Sequence, residues 1–73
     1  MWFFTPIVLI CIAGVDVREC RPQYGARVVE RGDPVESDIL CERDGQALLA
    51  GTAQGRYLAV GEVVKIMCER TKG

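Results

Sequence analysis

Apolar and polar positions divide the chain near residue 15. Residues 2–12 form one near-continuous apolar run, and beyond it apolar residues come in short groups between glycines, prolines and charges. Residues 26–30, Ala-Arg-Val-Val-Glu, are short and β-branched and predict a strand. Residues 31–34 predict a turn. Over residues 35–41, Val35, Ser37, Ile39 and Cys41 fall on one side, while Glu36, Asp38 and Glu42 fall on the other with Leu40 among them. That period of two predicts a half-buried strand. Asp44-Gly45 predicts a turn. Residues 46–50 suit a strand or one helical turn, Gly51 and Gly55 bracket a loop, and residues 56–60 predict a strand. After a turn at Gly61-Glu62, Val64, Ile66 and Cys68 alternate with Val63, Lys65 and Met67, giving a further strand. Residues 15–25 predict an extended lead-in, because Pro22 disfavours helix at Arg21 and Gly25 ends the stretch. No stretch after residue 15 keeps a 3.6-residue period. The pattern therefore predicts a small β-rich domain of short antiparallel strands.

One phrase occurs twice. Gly32 to Gly45 and Gly61 to Gly73 each run glycine, acidic residue, apolar stretch, Cys-Glu-Arg and closing glycine. The repetition predicts two turn-and-strand units of one sheet, with Cys41 and Cys68 at equivalent places.

Charge sharpens the division near residue 15. All nine Lys/Arg and all ten Asp/Glu lie at or after Asp16. The uncharged opening reads as a secretory signal peptide over residues 1–14, leaving residues 15–73 as the domain. Its apolar part is well short of the ~20 residues a membrane span needs. Cleavage after Ala13 places Cys11 and Ala13 at the two small positions, and cleavage after Gly14 is the neighbouring option. The same run would also suit a buried strand or helix of the mature domain. Pro6, which breaks a helix, and the sharp charge boundary favour the signal. The expected localisation is secreted and extracellular.

About sixty residues bury a core worth only ~3–5 kcal/mol, so covalent staples are expected. Secretion makes cysteine the natural staple. With Cys11 inside the signal, Cys20, Cys41 and Cys68 remain. One pair closes and one thiol is left over, free or available for an intermolecular disulfide. Spacing does not choose among the three pairings. Neighbouring strands would bring Cys41 and Cys68 within bridging range, and closing that span would contribute ~3–4 kcal/mol in the chain-entropy model.

Several chemistries find no residues to carry them. The chain has no histidine, and its only serine is Ser37, so a Ser-His-Asp site is excluded. Three widely spaced cysteines do not build a zinc site. No phosphate-binding glycine loop occurs, and no cofactor is implied. The acidic residues read as a solvated face. The net charge of −1 supplies no basic field for nucleic acid. There is no asparagine, hence no N-glycosylation. These absences point away from an enzyme.

Two features point to binding. Arg31-Gly32-Asp33 resembles the integrin-binding tripeptide, with a basic and an acidic side chain splayed from a turn and a carboxylate able to reach a receptor-bound metal. The alignment of Gly32-Asp33 with Gly61-Glu62 gives the same residues a simpler role as a turn before a strand. The second feature is spread along the chain. Cys20-Arg-Pro-Gln-Tyr-Gly25 is similar to the opening Cys-x-x-Pro-x-x-Gly pattern of a sushi (complement control protein) module. Tyr57, Gly61, the alternating strand to Cys68, and Gly73 resemble its central part. The resemblance implies a β domain that serves recognition in immune or clotting-type cascades or in adhesion. It also implies a Cys20–Cys68 bridge with Cys41 left unpaired, and a last tryptophan and cysteine beyond Gly73.

The sequence thus predicts a secreted, non-enzymatic, disulfide-stapled β-rich module that binds an extracellular protein or surface. The alternative is a small adhesion or effector peptide acting through Arg31-Gly32-Asp33. A peptidase inhibitor presenting the loop 51–55 is a third class without particular support.

Overall fold

The computed structural model describes residues 1–54 and 58–72. Three strands and one helix follow in the order β1 (Trp2–Cys11), β2 (Ala26–Arg31), α1 (Asp38–Gln54) and β3 (Val63–Lys72). The strands form one sheet in the order β2-β1-β3. Both neighbours run antiparallel to β1, so β2 and β3 are parallel to each other. α1 carries the chain from one edge of the sheet to the other. The expected class, a small disulfide-stapled domain built on antiparallel strands, is the class observed.

The centre of the sheet is the apolar run. Pro6 to Cys11 are all buried. Ile7, Leu9 and Cys11 form a cluster with Cys20, against which Val15, Ala26 and Met67 pack. The alternate residues of β1 point to the opposite face, where α1 lies against β1 and β3. A strand covered on both faces needs apolar residues at every position, which explains a continuous run in place of an alternating one. Residues 2–11 form the strand on which the other two pair. Pro6 is tolerated in a central strand because of what lies beside it. Its carbonyl accepts from the N–H of Gly32 at 2.9 Å, and the regular ladder with β2 has ended at Arg31.

The strands expected at residues 26–30 and 63–68 are both present, the second extended to Lys72. Several expectations are corrected. Residues 35–41 are not a strand. Val35 makes an isolated bridge to Phe4, and α1 begins at Asp38. Ser37 caps it, its Oγ accepting from the N–H of Leu40 at 3.1 Å, and Asp38 places negative charge in the first turn. Asp44-Gly45 is therefore helix, not turn, and the helix continues through Gly51 to Gln54. The strand expected at 56–60 falls partly outside the described residues, and Leu58 to Val60 form no strand. Residues 15–25 are not extended either. Asp16 gathers a turn by accepting from the N–H groups of Arg18, Glu19 and Cys20, and Arg21 and Tyr24 exchange backbone hydrogen bonds around Pro22-Gln23.

The contact stripe of α1 is small. Cys41 and Gly45 are buried and Leu48 is half-buried, at spacings of four and three. Gly45 faces Ile66, and a Cβ there would lie 2.7 Å from Ile66 Cγ2. The glycine lets helix and strand approach closely, near the Cys41–Cys68 bridge.

Two glycines of the same helix should respond oppositely to alanine. Gly45→Ala must displace a β-branched side chain held in the sheet, and this outweighs its helix-propensity gain of about 1 kcal/mol. It should destabilise the protein by about 1–2 kcal/mol in urea unfolding. Gly51→Ala, with nothing within 4 Å of the new methyl group, should stabilise by about 0.5–1 kcal/mol.

Candidate functional site

The four cysteines form two bridges, Cys11–Cys20 and Cys41–Cys68. The expected odd thiol and intermolecular disulfide do not arise, because Cys11 is a structural residue of β1 and pairs with Cys20. The Cys20–Cys68 bridge implied by the sushi resemblance is not formed. Cys41 and Cys68 do pair, but from a helix to a strand, not between neighbouring strands. The short bridge closes the 12–25 loop over one face of β1, and Lys65 Nζ ties the loop down by donating to the carbonyls of Val17 and Cys20 at 2.8 and 2.9 Å.

Arg31, Gly32 and Asp33 lie along the edge of the sheet, not on a projecting turn. Arg31 is the last residue of β2, opposite Ile7. Its guanidinium is 3.6 Å from the carboxylate of Glu69. Gly32 is half-buried, its N–H bound to Pro6, and a Cβ there would approach Pro6 Cγ to 2.8 Å. Val35 then exchanges hydrogen bonds with Phe4 at 2.8 Å. The backbone on both sides of Asp33 is thus fastened to β1. Arg31 and Asp33 are exposed, but the segment lacks the protruding turn on which the adhesion reading rested.

A projecting turn does exist at the other end of the sheet. The N–H of Glu62 donates to the carbonyl of Ala59 at 3.0 Å, and Gly61 takes φ +86°. Positive φ at the third position suits a type II turn and glycine fills it without strain. Ala13 Cβ lies where a Gly61 Cβ would come within 2.9 Å, so the turn is seated against the start of the 12–25 loop. The side chain of Glu62 completes the lock. Oε1 accepts from the N–H of Ala59 at 2.8 Å, and both carboxylate oxygens accept from Arg27 at 2.8 Å. The two-pronged hydrogen bond from Arg27, followed by that from Ala59, holds the Glu62 carboxyl far below its ordinary 4.5, at about 2. The side chain of Glu62 is nearly buried, while that of Arg27 is half-exposed.

On this fixed frame apolar side chains face outward. Val60, at the second position of the turn, is 98% exposed. Leu58, Val63 and Ile12 around it are each more than 40% exposed. Cys11 opposite Val63, and Ala13 against Gly61, bring the two chain segments to one tip. The turn thus carries apolar side chains in solvent on a backbone held by the hydrogen bonds of Glu62. The sequence located the turn at Gly61-Glu62. It did not reveal that Arg27, thirty-five residues away, braces it. Only the conjunction of a β2 arginine with an acid directly after a turn glycine hinted at the pair.

Among the described residues no group of three or more metal-ligating side chains gathers, and no helix is long and apolar enough to cross a membrane. No family model, curated protein or solved structure matches the chain.

The lock on the turn should depend on pH in a defined direction. A carboxyl depressed in the folded state contributes stability in full above its ordinary value of 4.5 and loses it as pH falls through about 2. Amide-exchange protection at Glu62 and chemical shifts of Val60 should hold between pH 7 and 5, decline below 4.5, and collapse near 2. Glu62→Gln should flatten that dependence and loosen the turn at every pH.

Proposed function

We propose that this chain is a non-enzymatic binding module of an oxidising, extracellular compartment, and that it docks on another extracellular protein through the Val60 turn. The observation that carries the reading is the turn itself. A fully exposed valine stands on a backbone fixed by its own hydrogen bond, by Glu62 and by Arg27. A rigid apolar projection loses little entropy on entering a complementary pocket, which makes it an efficient anchor. The compartment is supported by the pairing of every cysteine in a chain of this size. In this reading residues 1–14 stay with the folded domain, because removing them would take away β1 and Cys11 together. The setting in an immune or clotting-type cascade rests on the sushi resemblance alone, and the bridges observed differ from those that resemblance implied.

Immobilised protein tested against a panel of secreted and cell-surface ectodomains separates this reading from adhesion through Arg31-Gly32-Asp33. A partner retained by the wild type should lose at least tenfold in affinity to Val60→Asp, since a charge cannot enter an apolar pocket unpaired. The same partner should bind Asp33→Glu as it binds the wild type. Loss on Asp33→Glu with retention by Val60→Asp would transfer the function to the tripeptide.

A further inference from the structure

The two edges of the sheet are unlike. Beside β1, the β2 edge is short, carries an irregularity at Ile10/Cys11, and runs out into Gly32-Asp33-Pro34. These are the devices by which proteins blunt an edge. The β3 edge is long and regular, and its only blunting feature is charge, at Lys65, Glu69, Arg70 and Lys72. Ten residues pair with β1 in unbroken register, without proline or glycine.

The hydrogen bonds fix which backbone groups this edge presents. Phe4 and Pro6 direct their bonds to Val35 and Gly32, on the β2 side of β1. In an antiparallel sheet the direction alternates, so Phe3, Thr5, Ile7, Leu9 and Cys11 bond toward β3. Their partners Thr71, Glu69, Met67, Lys65 and Val63 therefore face inward. The N–H and C=O groups of Val64, Ile66, Cys68, Arg70 and Lys72 face outward. Among the described residues no backbone bond from another element reaches them. An open groove of about 340 Å³ lies along this edge, with Ile66 and Cys68 on one side and Asp38, Glu42 and Gln46 of α1 on the other.

We infer that the chain pairs with a second copy of itself along β3, forming a continuous six-stranded antiparallel sheet about a two-fold axis at Met67. The occupant is argued from charge and register. A two-fold pairing must set one residue opposite itself. Centred on Cys68, it would place Ile66 opposite Arg70 and Met67 opposite Glu69. Centred on Ile66, it would place Lys65 opposite Met67 and Val63 opposite Glu69. Centred on Met67, it sets Ile66 opposite Cys68 and, once on each side of the axis, places Lys65, whose Nζ keeps one donor beyond those given to Val17 and Cys20, opposite Glu69, whose carboxylate also lies 3.6 Å from Arg31. Opposite charges directly across strands stabilise the pairing, and apolar residues meet apolar ones. The outward groups of Val64, Ile66, Cys68 and Arg70 then all find partners. The groove receives the second copy's Ile66 and Cys68. This surface meets the Val60 turn only at Val63, the first residue of β3, so a dimer would present two such turns, one at each end of the paired strands.

Sedimentation velocity on the full-length oxidised chain tests the pairing. The wild type should sediment with the mass of two chains in a concentration-dependent equilibrium, and a single-chain mass at the highest soluble concentration would overturn the inference. Arg70→Pro removes an outward N–H and leaves the bonds to β1 intact. It should yield a monomer with both disulfides and unchanged exchange protection at Met67 and Lys65; a persistent dimer would refute the β3 edge. Should that variant fail to fold, Glu69→Lys decides. It sets two positive charges against each other on either side of the axis and should raise the dissociation constant roughly tenfold or more. Adding Lys65→Gln to Glu69→Lys removes one of the opposed charges while keeping a donor for the carbonyls of Val17 and Cys20, and should recover part of the lost affinity. An unaffected Glu69→Lys dimer would contradict the register.

Discussion

Burial of β1 on both faces is the constraint from which the rest of the structure follows. A strand in the middle of a three-stranded sheet needs two neighbours for its backbone and two covers for its side chains. This chain supplies the neighbours as β2 and β3. It supplies one cover as α1 and the other as the 12–25 loop. Neither cover is large, and each is held by a bridge. Cys11–Cys20 fastens the loop and Cys41–Cys68 fastens the helix. In the chain-entropy model closing loops of these lengths contributes about 2.5 and about 3.5 kcal/mol, comparable to what a core of this size yields. The staples stand in for apolar area that a longer chain would bury.

How far this could be read from the sequence differs by element. β2 and β3 were legible because β-branched residues and alternation mark a half-buried strand wherever it lies. The need for disulfides was legible from length. The run at residues 2–11 has the composition both of an export signal and of a doubly covered strand. What places it within the sheet is long-range: Cys11 has a partner nine residues on, and Pro6 lies where the β2 ladder has ended. α1 was hidden for a different reason. Its buried stripe is Cys41, Gly45 and Leu48, two of them small, and its large apolar residues Ile39 and Leu40 face outward. Over seven residues, spacings of two and of three to four are not separable. The repeated Gly-acidic-Cys-Glu-Arg phrase reinforced the wrong choice, since the same words are spelled once as cap-and-helix and once as turn-and-strand. The signal that favoured helix was Ser37 followed by Asp38, a cap read only as part of an alternation.

The candidate site was partly visible in the same way. The turn glycine and the acid after it were evident, while their brace from Arg27 was not, because an ion pair spanning the sheet leaves no local pattern. Arg31-Gly32-Asp33 illustrates the converse. A familiar tripeptide was easy to see, but glycine occupies that position because Pro6 of the neighbouring strand leaves no room for a side chain. In this fold the tripeptide lies where the chain passes from β2 toward α1.

The central claim is that residues 2–11 are the middle of the domain and that both bridges serve to cover them. The most direct measurement is a non-reducing peptide map of the natively folded protein, combined with its amino-terminal sequence. The account predicts that residues 2–11 are present and that the map links Cys11 to Cys20 and Cys41 to Cys68, with no free thiol. A folded protein beginning at Gly14 or Val15, with Cys20 joined to Cys41 or Cys68 and one thiol unpaired, would contradict it.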